Sequence, residues 1–247
     1  MRLYGHRGAA ALARENTVGA VLAALDAGAD GVEVDVRLCA DDVVVCSHDP
    51  DLARVYGEAL VVRDTAWDAL AEIPTGPGDG PARLADVLDA AGQRGQVIVE
   101  VKNIAGEPDF DAPREAVAAA VVDLLDQRRA AGLVDDVLVS SFDWHALDRV
   151  ASAGAVPVAL LAPPGVAVSA AVTAAVARGY AGLHPHWVDM GEDPAGAVRL
   201  AHDAGLDLVV WTVDDGDIAR ALADAGADGV ITNDPVAMRA ALVTGAS

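Results

Sequence analysis

The chain has 247 residues, the scale of one α/β barrel of roughly 250 residues, though two small domains would also fit that length. Seventeen Lys and Arg face 38 Asp and Glu, a formal net charge of −21 at pH 7. That balance argues against a nucleic-acid partner, whose phosphates need basic neutralisation, and against adhesion to anionic membranes. Hydrophobic residues make up 53% of the chain, enough for one large core, yet no apolar run approaches the ~20 residues that cross a bilayer. Without the apolar stretch of a signal peptide at the N-terminus, the expectation is a cytoplasmic protein with no stable membrane insertion.

In chain order, a first strand is expected over 3–6, running into Gly5-His6-Arg7-Gly8. An Ala-rich helical stretch then gives way to Ala27-Gly28-Ala29-Asp30-Gly31-Val32, a pattern that returns as Ala225-Gly226-Ala227-Asp228-Gly229-Val230. A glycine just past a helix takes the left-handed conformation that ends it, and the chain turns directly into a strand. Further strands are expected over 31–37, 97–102, 137–141, 156–161, 181–184, 207–212 and 229–232. Eight short strands alternating with helices imply parallel βαβ units and a single TIM (β/α)8 domain over 1–247. An open doubly wound sheet is the runner-up, but no Gly-x-Gly-x-x-Gly turn follows the first strand.

The β-branched run over 43–47 follows residue 37 too closely for a parallel crossover, which needs a dozen or more residues, so it is expected to fold back as a hairpin arm. Residues 50–83 form a small insertion, and the Gly/Pro-rich loop over 74–81 lacks the Lys-Ser/Thr of a phosphate loop and is expected to be a flexible surface turn. Cys39 and Cys46 flank the Asp41-Asp42 turn and are expected to be packed, reduced thiols.

Chemistry concentrates on alternate strand positions. In Val32-Glu33-Val34-Asp35-Val36 the valines can meet helices while Glu33 and Asp35 point into the barrel. Glu100 and Lys102 repeat the arrangement on the next stave. Three inward acids repel one another unless something compensates, and a hard divalent cation with oxygen ligands, Mg²⁺ or Ca²⁺, does so most simply. The competing reading is a metal-free buried network neutralised by Arg7 and Lys102. His6 and His48 fall at the ends of β segments, where TIM-barrel chemistry sits, and imidazoles titrate near neutrality.

With those residues in view, His6-Arg7-Gly8, Glu15-Asn16-Thr17, Glu33-Val34-Asp35-Val36 and His48-Asp49-Pro50 resemble the signature of the glycerophosphodiester phosphodiesterase family. Glu100-Val101-Lys102, Ser140-Ser141-Phe142, Trp211-Thr212-Val213 and Ile231-Thr232-Asn233-Asp234-Pro235 continue it in order over nearly the whole chain. The resemblance implies a TIM barrel that hydrolyses small glycerophosphodiesters to glycerol 3-phosphate and an alcohol. It implies His6 and His48 as acid–base pair, and Glu33, Asp35 and Glu100 as ligands of one divalent cation. It further implies Arg7 and Lys102 on the phosphate, and Trp211 at the glycerol end, with Phe142 open between pocket wall and core. Two departures stand out: Arg14 where the family has Pro, and Ser47 where another His is common.

His184 is expected to line the pocket, with His186 in a loop; a transition-metal site at this pair lacks a third ligand at a recognisable spacing. His145 and His202 fall in helical stretches. Alternative functions are a lysophospholipase D or phosphoinositide-type phosphodiesterase on the same barrel, and a catalytically silent barrel that binds phosphorylated ligands.

Overall fold

The architecture was described from a computed structural model, for residues 1–111, 115–154 and 156–244. The strands are β1 (Arg2–Gly5), β2 (Gly31–Leu38), β3 (Val44–Cys46), β4 (Ala82–Arg83) and β5 (Gln96–Val101). After these come β6 (Val137–Ser141), β7 (Val158–Leu161), β8 (Gly182–His184), β9 (Asp207–Val210) and β10 (Gly229–Thr232). Parallel pairing runs β1-β10-β9-β8-β7-β6-β5-β2, and a β1–β2 pairing closes the ring into an eight-stave barrel. The closure rules out the open doubly wound sheet. Each expected strand is present, its ends within two residues of the expected ones.

β3 pairs antiparallel with β2, Val36 opposite Cys46, so the expected hairpin arm forms. β4, which was not expected, pairs antiparallel with the far edge of β3. Between β3 and β4 the chain packs a small cluster of its own, Leu52, Val62, Leu70 and Ile73 against Cys39 and Val45. Both thiols are free and buried. The turn at 76–80 lies at the surface as expected, and Gly78 O accepts from Gly19 N at 2.8 Å beside the first helix.

Alternation along the staves separates two interiors. Val32, Val34 and Val36 join Val97, Val99 and Val101 in the main core, with helix residues such as Val21, Ala24 and Val121. Inside the barrel, Tyr4, Ile98, Val209 and Ile231 form a compact apolar cluster. In register, Asp35 stands beside Glu100 and Glu100 beside Ser140, placing polar side chains near the C-terminal ends of β2, β5 and β6.

The loop after β1 turns sharply to enter the first helix, Val18–Asp26. Thr17 caps that helix, its side chain accepting from Ala20 N at 3.1 Å. Gly8 has φ +85°, and a Cβ there would lie 2.5 Å from the carbonyl carbon of Ala20. Only glycine permits so close an approach, and it holds Arg7 over the mouth of the barrel.

Candidate active site

Glu33, Asp35 and Glu100 are all buried and each offers an oxygen within 4.8 Å of the others. Oxygens on opposite sides of a Ca²⁺ ion stand about 5 Å apart, given ligand distances of about 2.3–2.6 Å, so the spacing suits a hard cation. Glu33 Oε1 is buried with no hydrogen-bond partner, the kind of orphaned oxygen that a cation would satisfy. Among the described residues this is the one cluster of three or more metal-ligating side chains, and His184 and His186 do not belong to it. The residues present therefore fit a divalent ion.

Each carboxylate is held by neighbours. Glu33 Oε2 accepts from the backbone N–H of Arg7 at 3.0 Å, an approach made possible by the left-handed φ of +52° at Arg7. Asp35 is gripped twice by Asn16, whose Nδ2 donates to Asp35 Oδ2 at 2.8 Å and whose Oδ1 accepts from Asp35 N at 3.0 Å. Lys102 Nζ donates to Glu100 Oε1 at 2.5 Å and lies 2.8 Å from Asp35 Oδ1. Arg7 Nε lies 3.3 Å from Asp35 Oδ2, while its Nη1 donates to Glu15.

The acids divide electrostatically. Burial, added to the charge of Asp35, pushes the Glu33 carboxyl up to about 8. Burial likewise raises Glu100 to about 7 against the opposing pull of Lys102. Burial acts upward on Asp35 too, but Lys102 and Arg7 outweigh it and hold Asp35 well below the usual carboxylate range. With all three acids ionised, the two bases would leave one negative charge uncompensated, so a divalent ion bound there would favour the ionised forms of Glu33 and Glu100 against their burial.

The histidines are fixed from behind. Asp214 Oδ2 accepts from Asn233 Nδ2 at 2.6 Å, which turns the Asn233 carbonyl toward His6 Nδ1, 2.7 Å away. That geometry assigns the proton to Nδ1 and the lone pair to Nε2, which lies 4.0 Å from Glu33 Oε2. At His48 the carboxylate of Asp49 stands 2.7 Å from Nδ1 and makes the same assignment. Burial lowers both histidine pKa values, helped by Arg7 at His6 and by Lys102 at His48. Arg54 bridges the two loops, donating to Asp49 at 2.6 Å and to both oxygens of Glu15 at 2.8 and 2.6 Å.

Trp211 follows β9, and its indole N–H donates to His184 O at 2.9 Å. Phe142 packs edge-on against it, ring centroids 5.6 Å apart, and His186 does so at 4.9 Å. His184 is 1% exposed, and its Nδ1 has no partner; burial lowers it to about 3, so it is a neutral ring. His145 and His202 are exposed on helices, His202 Nε2 lying 2.8 Å from Asp228. Arg14 places its guanidinium over the Tyr56 ring, 4.9 Å from its centroid, so the first loop is braced by a cation–π contact. Ser47 donates to Asp49 O at 2.8 Å.

The family model of glycerophosphoryl diester phosphodiesterases matches residues 6–237. The chain belongs to this family. A glycerophosphodiester phosphodiesterase of Caldanaerobacter subterraneus is 28% identical over 240 residues, 94% of each chain. The crystal structure of the glycerophosphodiester phosphodiesterase of Thermotoga maritima superposes with a TM-score of 0.79 at 28% identity, covering 96% of both chains. An Oleispira antarctica phosphodiesterase, solved in complex with the product sn-glycerol-3-phosphate, shares the fold at a TM-score of 0.83 and 24% identity, covering 98% of this chain and 97% of its own. The protein is thus a hydrolase of phosphodiesters, and no helix among the described residues is long and apolar enough to cross a membrane.

Sequence reasoning missed several supporting residues of this phosphodiesterase. Arg37 is 1% exposed. Its Nη2 donates to His48 O at 2.6 Å and to Glu107 at 2.7 Å, and its Nη1 donates to Asp109 at 2.5 Å. It continues the inward series of Glu33 and Asp35 at the same two-residue step, and that period was the available signal. Asp214 and Arg54 carried none, because their pairings with Asn233 and with Glu15 are set by tertiary packing.

Proposed function

We propose that the chain hydrolyses glycerophosphodiesters to glycerol 3-phosphate and an alcohol, with a divalent cation, Mg²⁺ or Ca²⁺, held by Glu33, Asp35 and Glu100. The observation that carries the reading is the convergence of these three carboxylates, within 4.8 Å of one another, under Arg7 and Lys102 and beside His6. The product bound to the Oleispira antarctica relative supports the same substrate class. When bound, the cation would act as a Lewis acid on the phosphoryl oxygens.

The chain's own residues supply the rest. Arg7 and Lys102, each ion-paired to Asp35, hold positive charge where phosphate oxygens gain negative charge. Nε2 of His6 and of His48 present lone pairs, so one ring accepts the proton of the attacking hydroxyl. The other, once protonated, gives a proton to the leaving alkoxide. Asn233 and Asp49 keep both rings in the required tautomer. Trp211 walls the glycerol end, steadied by Phe142 and by its bond to the carbonyl of His184, whose own ring is buried away from solvent.

The test is to strip the protein of metal, supply glycerophosphocholine with and without Mg²⁺ or Ca²⁺, and measure glycerol 3-phosphate. Product is expected only with a divalent ion and is expected to vanish in Glu33→Ala. Turnover in chelator equal to that with metal would overturn the cation's role. Binding without turnover under every ion would favour a silent barrel.

A further inference from the structure

Arg54 sits near the start of the insertion that follows β3, on the short helix Ala53–Tyr56, and every nitrogen of its guanidinium is engaged. Nε donates to Asp49 Oδ2 at 2.6 Å, Nη1 to Glu15 Oε2 at 2.8 Å and Nη2 to Glu15 Oε1 at 2.6 Å. A planar fork held on both sides has one orientation. The same helix meets the first loop a second time, since the Tyr56 ring lies under the Arg14 guanidinium, 4.9 Å from its centroid.

Through these contacts opposite charges alternate across the mouth of the barrel. Asp35 pairs with Arg7 at 3.3 Å, Arg7 with Glu15 at 2.9 Å, Glu15 with Arg54, and Arg54 with Asp49. Asp49 Oδ1 in turn stands 2.7 Å from His48 Nδ1. Burial raises the carboxyls of Glu15 and Asp49, but Arg54 outweighs it, helped by Arg7 at Glu15 and by His48 at Asp49, and both lie below the usual carboxylate range. Asp49 therefore meets His48 as an acceptor. His48 and Asp49 are neighbours on a partly exposed turn, where a carboxylate with one oxygen free can swing to water. Ser47 fixes the backbone of Asp49 through its carbonyl. Among the described residues only Arg54 holds the second oxygen and so fixes the plane of the carboxylate.

We infer that Arg54 is a positioning residue for phosphodiester hydrolysis. Anchored on Glu15, it aims the Asp49 carboxylate at His48 Nδ1 and so keeps the lone pair of that ring on Nε2. The inference rests on the reading of His48 as one of the acid–base pair. It makes the insertion part of the reaction machinery rather than packing added to the barrel. The Arg54 side chain is 49% exposed, so its ion pairs add little to stability and its removal is expected to leave the fold intact.

The test joins a double-mutant cycle to a spectroscopic readout, on the Mg²⁺-loaded protein. With saturating glycerophosphocholine, Arg54→Met is expected to lower kcat about 10-fold, the scale for groups that orient a working imidazole. In an Asp49→Ala background the same substitution is expected to change kcat less than about twofold, because the carboxylate it acts through is gone. Losses that multiply independently would overturn the inference, as would wild-type kcat in Arg54→Met. Proton–nitrogen correlation spectra of the imidazole rings read the tautomer without turnover, the His48 signals being assigned by their loss in His48→Gln. Neutral His48 is expected to carry its proton on Nδ1 in wild type and to show a mixture of tautomers in Arg54→Met. A role in stability alone would leave the tautomer unmoved. An unchanged tautomer in Arg54→Met overturns the inference while leaving glycerophosphocholine hydrolysis standing. A tautomer shift in a protein that hydrolyses nothing upholds the coupling of Arg54 to His48 and refutes only the reaction assigned to it.

Discussion

Asn16 is the most informative side chain to remove, because two separable costs meet there. Its Nδ2 donates to the buried carboxylate of Asp35 and its Oδ1 accepts from the Asp35 N–H, at 2.8 and 3.0 Å. Its backbone has φ +56°, the left-handed region that Asn tolerates and Ala does not. A hydrogen bond to a charged group contributes about 1.5–3 kcal/mol, and an orphaned buried N–H costs about 1–3 kcal/mol. The left-handed backbone costs an alanine about 1–2 kcal/mol. The terms overlap, since the carboxylate can relax, so Asn16→Ala is expected to lose about 3–4 kcal/mol, a large share of a typical 5–15 kcal/mol. Asn16→Gly removes the side chain without backbone strain and should recover about 1 kcal/mol of that loss. Urea unfolding followed by helical circular dichroism, in chelator, measures all three proteins. A change below about 0.5 kcal/mol in Asn16→Ala would refute the hydrogen-bond argument, and equal losses in the two variants would refute the backbone one.

Removing His6 or His48 as Ala is expected to cut turnover at least ~100-fold, read in steady-state assays with saturating divalent ion; near-normal rates in both would remove them from the mechanism. Arg37→Met strips the partner from Glu107 and Asp109 at a site 1% exposed and should cost about 3–5 kcal/mol, seen as a lower urea midpoint. Asn233→Ala frees the His6 ring and should lower kcat by ~10-fold, as for other orienting residues behind a reactive imidazole, with divalent-ion affinity by calorimetry unchanged. His184 gives a pH signature. Its folded pKa of about 3 lies below the ordinary 6.5, so between those values the unfolded chain takes up a proton that the folded one refuses. Stability therefore falls as pH drops below 6.5, by up to about 1.4 kcal/mol per unit. His184→Gln should show a shallower decline of Tm between pH 7 and 5, and parallel profiles would contradict the assignment.

Most staves were legible because a glycine turn past a helix leads into a short apolar, often β-branched run, and because alternation told Val34 from Asp35. The carboxylate cluster followed from the same two-residue period on β2 and β5, joined by a register that a parallel barrel imposes. β4 was not legible: Ala82 and Arg83 have no strand pattern and pair only because β3 offers them an edge. The tether of the surface turn at 76–80 was not legible for a similar reason, since the backbone of Gly19 that meets it is far away in sequence. The backing of the two histidines was hidden differently. Asn233 lay inside a recognised motif, but its turn toward His6 depends on Asp214, a contact set by tertiary packing alone.

The Asp214–Asn233–His6 chain also bears on how the molecule is made. His6 follows the first stave, yet the groups that orient it belong to the segments after β9 and β10, and β10 is also the stave on which β1 leans. Nascent chains short of residue 229 lack both the last stave and Asn233, so they are expected to be inert whatever their compactness. Phosphodiester cleavage is therefore expected to await the meeting of the two ends of the barrel, across a His6–Asn233 contact that spans 227 residues.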